Sequence, residues 1–173
     1  IYDGAGNQVA SVEPLGRRVT SVYDALNRAH VMIDSLGNRT TSVFNAGGQL
    51  VAQVNALGNR QTSTYDARGL VETTKDPLGN VVTSVYDAVG NQVAMIDPLG
   101  NRSTTVFDAL NRGYASVNAL GKRATTLFDK AGRSIAQSDE LGNWTLTSYD
   151  EFGRYLGTTD ALGNQTQVAY DSA

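Results

Sequence analysis

An aromatic residue stands at Tyr2, Tyr23, Phe44, Tyr65, Tyr86, Phe107, Phe128, Tyr149 and Tyr170, each 21 positions after the one before. A chain with that period is a repeat protein, built from one supersecondary unit whose copies stack on their neighbours. The period sets units at 2–22, 23–43, 44–64, 65–85, 86–106, 107–127, 128–148 and 149–169, followed by the start of a ninth. The chain reads as a single array and as a segment of a longer protein. A lone enclosed active site is not expected, because every unit repeats the same chemistry.

The unit from Tyr86 to Val106 shows the grammar. Two turn signals stand in it, Asp87 to Gly90 and Asp97 to Gly100. Each has Asp first, where its carboxylate can accept from backbone N–H groups two residues on, and Gly last, where positive φ costs nothing. Asp24 and Asp66 open equivalent turns; Gly37, Gly58, Gly79, Gly121, Gly142 and Gly163 close others. Of 18 Gly, 14 fall in these two closing columns, and all three Pro share one turn column. Where Gly is missing, at Asn27 and Asn111, the replacement is the residue that best tolerates left-handed φ. The composition is therefore turn chemistry.

Between the turns lie segments such as 91–96 and 101–107, rich in Val, Ile, Thr, Ser and aromatics, with turn signals every 10 or 11 residues and no helical period. These predict an all-β fold: an up-and-down antiparallel ribbon of hairpins, two strands per repeat, coiled into a spiral, tube or shell wall. Equivalent residues then recur about 9.6 Å apart along the ribbon, and eight repeats give a sheet about 75–80 Å long. The odd period adds a constraint. If both turns shared one geometry and nothing else intervened, equivalent side chains would swap faces in successive repeats. Either the two turns differ in length or one strand of every repeat carries a bulge.

The Leu column is the sharpest feature after the rings. Leu15, Leu36, Leu57, Leu78, Leu99, Leu120, Leu141 and Leu162 occupy the third position of the second turn in all eight repeats. Such a stripe is aggregation-prone when exposed, so burial against a neighbouring coil or the curled sheet is expected, with a docking stripe for another chain as the alternative. The ring column, Tyr23, Tyr65, Tyr86, Phe107, Phe128 and Tyr149 among its members, reads as a packing ladder in which the ring matters more than the hydroxyl. Arg18, Arg39, Arg60, Arg102 and Arg123 form a partial basic row, read as a solvated face partly paired with the turn carboxylates, with a track for an anionic polymer as the alternative. Two strand columns leave the inward face open. One holds Val9, Val51, Val93 and Ile135 together with His30, Glu72 and Tyr114; the other holds Thr20, Thr41, Thr62, Thr83, Thr104 and Thr125.

Chemistry is sparse. The single His, His30, has no acid and nucleophile pattern around it, and Ser and Thr lie in strand columns with no base at any repeated position. Most turns offer one carboxylate, ahead of Gly rather than after it, which speaks against calcium. Without Cys there is no disulfide or cysteine metal site. A net charge of −3 and a pI near 5.0 argue against nucleic acid as partner. No apolar run of about 18 residues is present to cross a membrane. No enzyme, cofactor or metal is expected.

The repeat, as in Tyr149-Asp150-Glu151-Phe152-Gly153-Arg154 followed by Asp160-Ala161-Leu162-Gly163-Asn164, closely resembles the YD repeat, also called the Rhs repeat. The resemblance covers essentially the whole chain. It implies an exported scaffold, bacterial and extracellular or at the cell surface. Members of the family include Rhs toxins, wall-associated proteins, cocoon subunits of insecticidal toxin complexes, and teneurins. In such proteins the ribbon spirals into a hollow shell. Nothing here resembles the Asp-Pro-x-Gly-Leu plug of toxin shells, since the Asp-Pro-Leu-Gly at 76–79 and 97–100 are repeat turns. A constant unit applies one rotation and rise at each step, which favours an open fibre or stalk. A toxin-enclosing shell wall and a carbohydrate-binding adhesin are the alternatives. Expected partners are further repeats of the same chain, self-assembly into fibres, and surface polysaccharide.

Overall fold

The computed structural model describes residues 1–171. Strands form wherever the sequence runs β-branched and Thr-rich between Asp-led turns, and among the described residues there is no helix. Two compact units result, one from Ile1 to Thr83 and one from Ser84 onward. The first contains β1 (Ala10–Val12), β2 (Arg18–Tyr23), β3 (Ala29–Ile33), β4 (Arg39–Phe44), β5 (Leu50–Val54), β6 (Arg60–Tyr65) and β7 (Val71–Lys75). The strand β8 (Val81–Tyr86) holds the boundary. The second contains β9 (Gln92–Ile96), β10 (Arg102–Phe107), β11 (Gly113–Val117), β12 (Arg123–Phe128), β13 (Ser134–Ser138), β14 (Trp144–Tyr149), β15 (Tyr155–Thr159) and β16 (Gln165–Gln167). Strand order equals sequence order, the antiparallel meander expected.

The two turns of a repeat close in the same way. Gly90 N–H donates to Asp87 O at 3.3 Å and Asp87 N–H to Asn91 O at 3.0 Å; Gly100 and Asp97 repeat this with Asp97 O and Asn101 O, each at 3.0 Å. Asn27 and Asn111 take φ of 57° and 59°, as the missing glycines require. The turn Glu13–Gly16 departs from the rest, with Leu15 at φ 79°, a conformation that favours Gly over Leu.

With equal turns, the odd period must be absorbed in a strand, and it is. Tyr23 pairs with Ala29 while Val22 pairs with Val31, leaving His30 opposite no partner. The same shift leaves Val51 and Glu72 over in β5 and β7. In the second unit it leaves Tyr114, Ile135 and Leu156. One bulge at each of these six rings thus restores parity. Beyond it, Ala10 pairs with Thr20 and Thr20 with Ile33. The step along the ladder is odd, so equivalents one period apart keep the same face. The column holding both Val51 and Glu72, which chose no face in the sequence, is the bulge column. His30 lies there with its Nδ1 out of solvent and without a hydrogen-bond partner.

The face preserved by the bulge carries a thin core. In the first unit Ala10, Val31 and Ala52 are 1–2% exposed, and in the second Ala94, Ala115 and Ala136 are 3–6% exposed. Cross-strand neighbours cover them: Val22 opposite Val31, Val43 opposite Ala52, Val106 opposite Ala115, Leu127 opposite Ala136. Among the described residues no large side chain is fully buried. The accessible surface is 11649 Å² for 18.4 kDa, against about 8,200 Å² for a compact monomer of that mass. The backbone ladder and turn contacts therefore carry most of the order.

Deleting Glu72 should return the register beyond β7 to even steps and abolish cooperative unfolding of the first unit. Glu72→Thr, which keeps the count, should stay within about 0.5 kcal/mol of the parent in thermal melts followed by circular dichroism.

Candidate functional site

What repeats here is a structural site, assembled at each turn and each ring. At Asp97, Oδ1 accepts from the N–H of Leu99 at 2.9 Å and of Asn101 at 2.8 Å, while Asn101 Nδ2 donates to Oδ2 at 2.8 Å. Asp87 is held in the same way by Val89 and Asn91. The sequence pointed to the N–H two residues on. The residue after Gly was not singled out, yet its backbone and its side chain both close on the carboxylate. At Asn55 and Asn118 the amide oxygen accepts from the same two N–H groups, so the grip does not depend on charge.

Where Arg follows the left-handed turn residue, Asn27, Asn111 or Gly132, the grip extends into the next repeat. In the first unit Arg28 Nε donates to Asp24 Oδ2 at 2.8 Å, and its guanidinium lies 4.7 Å from the Phe44 ring centroid. In the second, Arg112 pairs with Asp108 and covers Phe128, and Arg133 pairs with Asp129 and covers Tyr149. Such cation–π contacts contribute about 0.5–1 kcal/mol at exposed sites. Where the ring is Tyr, its hydroxyl reaches back one repeat: Tyr23 donates to Gln8 O at 3.2 Å, Tyr65 to Leu50 O at 2.7 Å, Tyr149 to Ser134 O at 3.1 Å. The rings from Tyr23 to Tyr149 are half-buried, and Phe44, Phe107 and Phe128 keep the packing without this bond.

Two sequence expectations need correction. The leucines at the second turn are not buried. Leu15, Leu36, Leu57 and Leu78 are 85–93% exposed, and Leu99, Leu120, Leu141 and Leu162 are 75–88% exposed. The third turn position projects away from a single-layer sheet, and no second layer stands over it. The row Arg18, Arg39, Arg60, Arg102 and Arg123 takes part in none of the ion pairs among the described residues, because the turn carboxylates close on Asn or on the other arginines. Arg39 and Arg123 instead donate to Thr41 and Thr125.

Nothing in this arrangement assembles a nucleophile with a base. Among the described residues no group of three or more His, Asp or Glu stands close enough to share a metal ion. Among the described residues no helix is long and apolar enough to cross a membrane.

Residues 44–81 match the family model described as RHS Repeat. No curated protein matches the sequence. Among solved structures the chain is similar to the crystal structure of TcdB2-TccC3 without its hypervariable C-terminal region, with a TM-score of 0.74 and 19% identity over 92% of this chain and 10% of that one. It is also similar to the Tc holotoxin pore of Photorhabdus luminescens carrying a mutated TccC3, with a TM-score of 0.67 and 13% identity over 87% of this chain and 9% of that one. A third likeness, to TcdB2-TccC3-TEV, has a TM-score of 0.56 and 15% identity over 96% and 12% of the two chains. At these identities the likeness is one of fold, and the chain spans about a tenth of the length of the structures it matches.

The turn carboxyls predict an acid limit. The Asn101 side chain, and then its backbone N–H, hold Asp97 below its ordinary value of 3.8 against the opposing effect of burial. The Arg28 side chain does the same first at Asp24. A depressed folded value means that the stabilisation is complete above the unfolded pKa and is lost as pH falls through the folded one. Melting temperature should be flat from neutrality to about pH 5 and fall below about pH 4. Asp97→Asn should keep the turn and lessen that acid dependence, whereas Asp97→Ala should lower the melting temperature at every pH. Tyr149→Phe should cost about 0.5–1.5 kcal/mol by denaturant titration, the net value of its hydrogen bond.

Proposed function

We propose that this chain is built of repeats of the Rhs, or YD, type, as the match over residues 44–81 supports, and is a non-enzymatic wall segment of an exported bacterial protein, acting at the cell surface or outside the cell. The observation that carries the reading is the repetition itself. Caps and a ring recur from repeat to repeat, and a bulge stands at six of the rings, with no reactive pair among them in the described residues. The chain's task is then to make an extended surface of defined geometry. Its partners are the flanking repeats.

Two architectures divide this reading. A shell wall that encloses a toxin domain is supported by the fold likeness to TcdB2-TccC3 and the Tc holotoxin, extending over 92% and 87% of this chain. An open fibre or stalk is supported by the constancy of the step, with the same register shift recurring at six rings, three in each unit. The likeness is to proteins about ten times the length of this chain, and it favours the shell. Binding of an acidic surface polysaccharide is a further reading, supported by the arginines free of carboxylate partners at 18, 39 and 60.

Electron microscopy of the intact protein that carries this array separates them. Closed hollow particles are the expected result, and rods of constant width would establish the fibre instead. Glycan-array binding that is lost in Arg39→Ala/Arg60→Ala would add the polysaccharide role.

A further inference from the structure

The two sets of turns share one geometry but not one residue at the third position. In the first turns that position is Leu only at 26 and 110 and otherwise ranges over Ala, Gly47, Arg68, Val89 and Phe152, with the same pair of backbone hydrogen bonds closing each. Turn geometry therefore does not ask for Leu. Yet the second turns carry it in all eight repeats, at 75–93% exposure. A row that the fold neither needs nor covers is spent on contact with something else.

We infer that the leucine edge is a self-association surface, on which the edge of the first unit of one copy meets the edge of the second unit of another. Spacing is the first reason. An occupant must offer apolar groups once every two strands, about 9.6 Å apart, over several successive repeats. The leucine edge of a second copy has that spacing by construction.

Charge is the second reason. The first unit's hairpins on this edge run over 12–18, 33–39, 54–60 and 75–81. They carry five cations (Arg17, Arg18, Arg39, Arg60, Lys75) and three acids (Glu13, Asp34, Asp76), a net of +2. The corresponding hairpins of the second unit run over 96–102, 117–123, 138–144 and 159–165. They carry three cations (Arg102, Lys122, Arg123) and four acids (Asp97, Asp139, Glu140, Asp160), a net of −1. Pairing first edge on second opposes unlike charge, and pairing like edges does not. In the second unit, moreover, the chain's one Trp, Trp144, takes the place that Arg18, Arg39 and Arg60 hold in the first, and is 38% exposed. Its face suits an arginine of the opposing copy.

This inference extends the wall reading by giving the wall a lateral joint. It is tested on the chain alone, so that it can fail without the microscopy failing. Sedimentation velocity to about 100 µM, at low and high salt, with Trp144 emission as a second reading, should show concentration-dependent association that weakens with salt. Two variants decide the pairing. Leu36→Lys/Leu57→Lys breaks the first edge and Leu120→Lys/Leu141→Lys breaks the second; both change exposed tips, and circular dichroism should show an unaltered sheet. Each alone should associate at least about tenfold more weakly than the parent, and an equimolar mixture should regain a heterodimer, because each supplies the edge the other lacks. A parent chain monomeric throughout overturns the inference and leaves the edge to other repeats of a longer protein. So does association unchanged in either variant, or a parent that stays monomeric but floats with phosphatidylcholine/phosphatidylserine vesicles.

Discussion

A side chain in a strand returns to the same face every second residue, and this chain repeats every twenty-first. The conflict between those two periods governs the rest of the structure. One residue per repeat, His30 or Glu72 in the first unit and Tyr114 or Ile135 in the second, stands without a partner in the ladder and makes the count even. Only then can Ala10, Val31 and Ala52 share a face and be buried together. Without the bulge the small side chains would alternate sides and neither face would have a core.

Much of this was legible in the residues. Gly and Asp columns located the turns, Asn27 and Asn111 announced left-handed backbone, and the period itself demanded either unequal turns or a bulge. The choice between these was not legible, since both turn types share one hydrogen-bond pattern that only geometry reveals. The buried column was missed because its members, Ala, Val31, Gly157 and the half-buried Thr73, are small and unalike; their common property is size, and hydrophobicity hides it. The leucines misled for the opposite reason. Apolar character at a fixed place suggests burial, yet a turn's third residue points off the edge of the sheet. The part played by Arg28, next to Asn27, was not legible, because its two contacts lie four and sixteen residues away.

Stability is spread thinly along the chain. No large side chain anchors a centre, and order comes from many local grips, each joining a carboxylate or amide to two N–H groups and a neighbouring side chain. Such a protein behaves as a one-dimensional assembly, in which each repeat owes its stability to itself and its immediate neighbours. This organisation suits a wall. It can be lengthened by whole units without a core to redesign, and its surface chemistry can vary from unit to unit, as the first-turn tips do, while the frame stays constant.

The contacts around each ring also have a direction. Arg28 reaches forward to Phe44, and the hydroxyls of Tyr65 and Tyr149 reach back to carbonyls of the repeat before. Each of these rings is thus received by its amino-terminal neighbour. Because a ribosome delivers the amino-terminal repeats first, each new unit emerges onto a seat already in place. The molecule can be laid down like courses of brick, in the order in which it is translated, without waiting for sequence yet to be made.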